Sequence, residues 1–98
     1  KNQTVTRDFI VADNYPNPFN PSTTIRIQLP QAAETSVRIY NILGHEVATL
    51  LNENVGMAEI EIHWNGLNHQ NQPVSSGIYF YRIESGDYTS IRKMMLMR

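Results

Sequence analysis

Residues 14–22 read Asn14-Tyr15-Pro16-Asn17-Pro18-Phe19-Asn20-Pro21-Ser22. The three prolines, Pro16, Pro18 and Pro21, fix φ at their own positions and remove three backbone donors. Tyr15, Asn17 and Asn20, which precede them, are pushed out of the helical region. Neither a helix nor a central strand can pass through this stretch. The chain here must run as a stiff, kinked connection over a domain surface or along a sheet edge. Tyr15 and Phe19 are the side chains able to pin such a connection to a core. The asparagines can bond nearby backbone where no ladder is available.

The rest of the chain reads as β structure. Thr24-Ile25-Arg26-Ile27-Gln28-Leu29 alternates apolar and polar residues, the pattern of a half-buried strand, and Pro30 ends it. Thr35 to Tyr40 alternates again, with Val37 and Ile39 on one face. Asn41 to Gly44 supplies turn residues, and a strand follows over 46–51. Met57 to Trp64 puts Ile60, Ile62 and Trp64 on one side and Glu59, Glu61 and His63 on the other. A polar loop spans 65–76. Gly77 to Ile83 is aromatic and β-branched, as strands prefer. Ser85-Gly86-Asp87 turns the chain into a last strand over 88–97. Residues 4–12 offer an edge strand through Val5, Phe9 and Val11. About seven short strands with turn signals at this spacing predict an all-β, immunoglobulin-like antiparallel sandwich. Residues 1–8 read as a linker or lead-in, and 9–98 as the domain.

Ninety-eight residues suit one domain with one modest core. There is no cysteine, so neither a disulfide framework nor a thiolate metal site is available, and the redox compartment stays open. A net charge of −1 argues against nucleic acid as the main partner. No apolar run is long enough for a membrane-spanning helix. The chain starts at Lys1 without an apolar leader, which reads as a piece of a larger protein exported through a distant N-terminal signal.

No constellation of catalytic or metal-binding residues emerges, and no cofactor is expected. His45, His63 and His69 are scattered, whereas zinc needs three or four converging ligands. Glu59 and Glu61 share one strand face, which reads as ordinary solvation; glycosidase carboxylates come from elements converging on a cleft. Ser75 and Ser76 lack a nucleophile elbow. Asp8 and Asp13 lack calcium-loop spacing. Asn2-Gln3-Thr4 matches a glycosylation sequon, a pattern too short to carry weight.

Two features admit a functional reading beside a structural one. Trp64, Tyr79, Tyr81 and Tyr88 could form a sugar-stacking platform, but the alternation of Trp64 with Ile60 and Ile62 favours a core plug. Ile91-Arg92-Lys93-Met94-Met95-Leu96-Met97-Arg98 is short, basic and methionine-rich. It reads either as an edge strand guarded by cations or as an exposed address flagged by Lys93 and Arg98. Spacing and charge leave that choice open.

Five blocks in order resemble a known family. They are Phe9-x-Val11 with Asn14 to Ile25, then Val37-Arg38-Ile39-Tyr40-Asn41-x-x-Gly44, then Trp64-x-Gly66. Val74-x-Ser76-Gly77-x-Tyr79-x-Tyr81-x-Ile83 and Lys93-Met94-x-Leu96-x-Arg98 complete the set. The chain resembles the type A C-terminal sorting domains of the type IX (Por) secretion system of Bacteroidota and related bacteria. The resemblance runs from about Phe9 to Arg98. It departs at Arg98, where the family usually has lysine, and at Gly56-Met57-Ala58, where many members carry an Ala-Gly pair.

The resemblance implies an immunoglobulin-like, non-catalytic domain that follows a covalently linked cargo. It implies delivery of that cargo through the periplasm and across the outer membrane to the cell surface or medium. The implied partners are the secretion machinery and a sortase-like peptidase, with cleavage or surface attachment afterwards. The implied sorting-motif residues are Asn14, Pro16, Asn17, Pro18, Asn20, Pro21, Gly77, Tyr79, Lys93, Met94, Leu96 and Arg98. Flagellar hook-capping proteins carry a similar domain, so a structural or interaction module is one alternative. A carbohydrate-binding accessory domain of an extracellular enzyme is the other. The cargo, the cleavage position and the oligomeric state are not legible in the residues.

Overall fold

The computed structural model describes residues 9–98, and these described residues form seven strands. They are β1 (Ile10–Val11), β2 (Thr23–Leu29), β3 (Ala33–Tyr40), β4 (Glu46–Val55), β5 (Ala58–Trp64), β6 (Gly77–Ser85) and β7 (Tyr88–Leu96). A three-stranded sheet in the order β1-β2-β5 faces a four-stranded sheet in the order β4-β3-β6-β7. Every strand pair within the two sheets is antiparallel. The immunoglobulin-like sandwich read from the alternation is therefore the observed fold.

The core forms where the apolar side of each alternating strand turns inward. Ile25, Ile27 and Leu29 of β2 and Ile62 and Trp64 of β5 pack toward Val37 and Ile39 of β3. Tyr79, Tyr81 and Ile83 of β6 and Met94 and Leu96 of β7 complete this layer. Ile60, expected inside, is only half-buried, because β5 is the edge of its sheet.

Strand β4 departs from the simple pattern. It runs to Val55 instead of ending at Leu51, because Asn52, Glu53 and Asn54 continue the ladder opposite Ser36, Thr35 and Glu34. The register slips twice, between Val37 and Arg38 and between Ile39 and Tyr40. Each slip places an extra β4 residue in the ladder, as a β-bulge does. Val47 and Ala48, adjacent in sequence, are consequently both buried.

Of the edge strand expected over 4–12, Ile10 and Val11 form it among the described residues. Phe9 packs against the core and stacks on Tyr88 at a ring-centroid separation of 4.1 Å. Val5, Asp8, the Asn2-Gln3-Thr4 sequon and the whole 1–8 lead-in lie outside the described residues. Among the described residues no helix is long and apolar enough to cross a membrane.

Candidate functional site

The proline-rich connection crosses from β1 to β2 and lies along the outer edge of β7. The Phe19 N–H donates to the Met95 carbonyl at 3.0 Å, and the Met97 N–H donates to the Phe19 carbonyl at 2.8 Å. The Met95 N–H donates to Asn17 Oδ1 at 3.0 Å. These bonds make a short parallel bridge between Phe19 and Leu96. Prolines forbid a full ladder here, so the segment bonds through Phe19 backbone and an asparagine side chain. Only the C-terminal part of β7 gains this cover.

Phe19 is the anchor. Its ring is buried and tilted against Trp64 at 5.7 Å, and Trp64 meets Tyr79 edge-on at 5.3 Å. Trp64 is 1% exposed, and its indole N–H donates to the Leu67 carbonyl at 3.0 Å. The Tyr79 hydroxyl donates to the Ser75 carbonyl at 2.8 Å. Tyr15, read as a second pin, is 79% exposed and contributes only a bridge to Thr24. Of the two aromatics only Phe19 is buried against the sandwich.

A second knot joins the start of the proline segment to β6. Asn14 is buried, and its Nδ2 donates to Thr23 Oγ1 at 3.0 Å and to the Pro16 carbonyl at 3.3 Å. Thr23 Oγ1 donates to that same carbonyl at 2.9 Å. The Tyr81 hydroxyl accepts from the Asn14 N–H at 3.2 Å and donates to the Ala12 carbonyl at 3.3 Å. Burial raises the Tyr81 phenol above its ordinary value, against an opposing pull from the Asn14 hydrogen bond. Arg92 closes the outside of the knot through a 2.7 Å ion pair with Asp13.

The two cations read as possible flags, Lys93 and Arg98, sit differently in the fold. Arg98 is tied down: Nε donates to the Val74 carbonyl at 2.6 Å and Nη2 to the Gly66 carbonyl at 2.8 Å. Its backbone N–H donates to Ser76 Oγ at 2.8 Å. The fork geometry of guanidinium reaches two carbonyls at once, which an ammonium does less well. Gly66 leaves room for this contact. With φ at +75° it occupies left-handed space, and a Cβ there would stand 2.7 Å from Arg98 Nη2 and 3.2 Å from the Pro21 carbonyl. Gly77, at the head of β6, has φ at +153°, again suited to glycine. Lys93 remains exposed on the outer face of β7, while Met94 and Leu96 are core.

The structure thus brings Asn17, Gly77, Tyr79, Met94 and Leu96 together along β6 and β7, sets Asn14 and Pro16 in the knot with Thr23 and Tyr81, and ties Arg98 to the 65–76 loop. Pro18 and Asn20 are exposed on the connection, and Lys93 faces away from the core. Phe19, Trp64 and Gly66 belong to the same assembly and are missing from the expected set. Only the spacing Trp64-x-Gly66 and the lone phenylalanine between prolines signalled them.

The sugar platform does not form, because Trp64, Tyr79 and Tyr81 are buried and Tyr88 is covered by Phe9. Glu61 pairs with Arg26 at 2.9 Å, His63 Nδ1 shares a hydrogen with Thr24 Oγ1 at 2.8 Å, and His69 Nε2 lies 3.1 Å from Glu46. Among the described residues no group of three His, Cys, Asp or Glu side chains could hold a metal ion.

The family model described as a secretion system C-terminal sorting domain matches residues 13–97. The chain belongs to this sorting-domain family. The match covers the proline segment, the whole of β7 and the second knot apart from Ala12. Among solved structures, the sorting domain is similar to dimeric latent PorU from Porphyromonas gingivalis, at 23% identity and a TM-score of 0.69. That match covers 93% of this chain and 10% of PorU. A second similar structure is PorZ, a surface component of the type IX secretion system of the same organism. There the identity is 23% and the TM-score 0.59, over 90% of this chain and 11% of PorZ. The sorting domain thus spans about a tenth of each of these chains, and at such identity the likeness speaks for the fold. No curated protein sequence matches it.

Proposed function

We propose that this domain is the export address of a larger protein, delivered across the outer membrane by the type IX secretion system. The family match over residues 13–97 carries this reading. The meeting of the proline block, the Gly77-x-Tyr79 strand and the end of β7 at one edge supports it. In this reading residues 1–8 lead in from an N-terminal cargo, and 9–98 form the folded signal. The cargo passes the periplasm before reaching the surface or medium, where a sortase-like peptidase acts on the junction. The domain itself supplies no chemistry; any catalytic activity belongs to the cargo.

The address is a folded surface rather than a linear tail. Met94 and Leu96 are core, and Arg98 is bonded to the 65–76 loop, so the terminal residues are held in place by partners distant in sequence. The test is to fuse residues 1–98 to the C-terminus of a periplasm-directed fluorescent cargo. The fusion is expressed in a bacterium with a type IX system and in a strain whose system is disabled. Surface or medium fluorescence is expected only in the first. Equal retention in both strains would replace this reading with a structural or interaction module.

A further inference from the structure

The outer face of the four-stranded sheet carries a set of exposed and half-buried apolar side chains. Outward residues of β7 are Ile91, Lys93 and Met95, and register sets Met95 beside Ile78, Lys93 beside Phe80 and Ile91 beside Arg82. Phe80 in turn lies beside Tyr40 of β3. Ile91 is 60% exposed and Met95 37%. The β3–β4 turn raises one wall beside them. Asn41 Oδ1 accepts from the Leu43 and His45 N–H groups at 2.9 and 3.0 Å, which fixes the turn with Ile42 70% exposed at its tip. Tyr40, Ile42, Phe80 and Ile91 line a shallow hollow of about 580 Å³ together with Glu46 and Arg82. Contiguous apolar surface of this kind marks interaction sites.

Charge narrows the occupant. Arg38 bridges Glu46 at 3.7 Å and Glu84 at 3.8 Å, and Arg82 holds Glu84 at 2.9 Å. Arg82 and Glu46 line the hollow; Arg38, between Glu46 and Glu84, and Lys93, in register with Phe80, flank it, and Lys93 is the cation of this group without an ion pair among the described residues. One surplus positive charge is too little to hold an anionic bilayer, where each basic residue adds only about 1 kcal/mol. A second copy laid face to face would bring a second Lys93 and only carboxylates already held by Arg38 and Arg82, so neither lysine would gain a free acid. An apolar protein surface carrying a carboxylate fits both the hollow and Lys93.

We propose that this face is where the domain docks onto the export machinery, through an apolar, acidic protein surface that meets Ile42, Phe80, Ile91, Lys93 and Met95. The proposal rests on the sorting reading above. It assigns recognition to the outward residues of β7 and the β3–β4 turn, and leaves Met94 and Leu96 the task of holding β7 in the sandwich.

The fusion assay separates the two ideas. Ile42→Asp and Ile91→Asp lie on different elements, and both side chains are mostly solvent-exposed, so both variants should melt with the parent. Each is expected to lower surface delivery about tenfold or more, as loss of an interface anchor does. Glu59→Lys, on the outer face of the opposite sheet, should be delivered normally. Lys93→Glu should reduce delivery more than Lys93→Met. Normal delivery of both aspartate variants beside an exported parent would overturn the docking face and leave the sorting function standing. Equal effects of Lys93→Glu and Lys93→Met would overturn the acidic partner. A parent that is not exported would overturn the sorting reading itself. Sedimentation of the purified chain should show a monomer; a dimer dissociated by Ile91→Asp would reassign the face to a second copy and overturn the proposal.

Discussion

Arg98 Nη2 donates to the Gly66 carbonyl at 2.8 Å, a contact between residues 32 positions apart. That carbonyl also accepts the Val74 N–H at 3.0 Å, so one oxygen ties the 65–76 loop to itself and to the end of the chain. The contact exists because Gly66 has no side chain where the guanidinium sits.

Gly66→Ala should destabilise the domain by about 1–2 kcal/mol from left-handed backbone alone, with further loss from displacement of the guanidinium. Arg98→Met should lower stability as well, and the two losses should not add. A double-mutant cycle by urea denaturation is expected to show about 0.5–3 kcal/mol of coupling. Strict additivity would mean that the contact is not formed in solution.

Trp64→Ala should cost about 3–5 kcal/mol, the range for truncating a large buried aromatic. Phe19 and Tyr79 both lose a ring contact, and the Leu67 carbonyl loses its donor. The readout is the denaturation midpoint, with native fluorescence of the parent expected at the blue emission of an indole shielded from water. An unchanged midpoint would place Trp64 at the surface.

Asn17→Ala should expose the Met95 amide, which donates to Asn17 Oδ1. The loss in stability should be modest, about 0.5–1.5 kcal/mol for one hydrogen bond. Native-state hydrogen exchange should accelerate at Met95 while amides in the β3–β6 ladder stay protected. Phe19→Ala should accelerate Met97 as well, because loss of the buried ring unseats the segment whose residue 19 carbonyl accepts the Met97 N–H. Unchanged exchange at both positions would show that the proline segment does not cover β7.

Tyr81 gives an alkaline signature. Its phenol is raised above the ordinary value of 10.0 in the folded state, mainly by burial. Above pH 10 the unfolded chain therefore releases the proton more readily than the folded one, and stability falls. The contribution is complete below pH 10 and is lost as pH rises through the folded value. Thermal melts from neutral to alkaline pH should steepen downward in this window. Tyr81→Phe should flatten that fall and lower stability at neutral pH, since the Asn14 N–H loses its acceptor. A parallel fall in both proteins would assign the alkaline loss elsewhere.

The strands were largely legible. A period of two is a direct consequence of pleating, so Ile25 with Ile27, Val37 with Ile39, and Tyr79 with Tyr81 announced which side chains share a face. The exclusion of ladder structure at Pro16, Pro18 and Pro21 was legible too, because φ and the missing N–H are covalent facts. The length of β4 was not. Its pairing depends on what β3 presents opposite, and the two register slips bring Val47 and Ala48 inward in defiance of simple alternation.

The sequence alone determined an antiparallel sandwich, the place of its turns and the family blocks, since these follow from local backbone chemistry and side-chain period. The tertiary structure decided what each block touches. Tyr15 and Phe19 look equivalent as aromatic pins, yet only Phe19 finds the Trp64 ring. Lys93 and Arg98 look equivalent as terminal cations. One faces outward beside Phe80, and the other spends its guanidinium on the Val74 and Gly66 carbonyls. A residue's own chemistry sets what it can bond, but the fold brings the partner, and for Arg98 those partners lie 24 and 32 positions away.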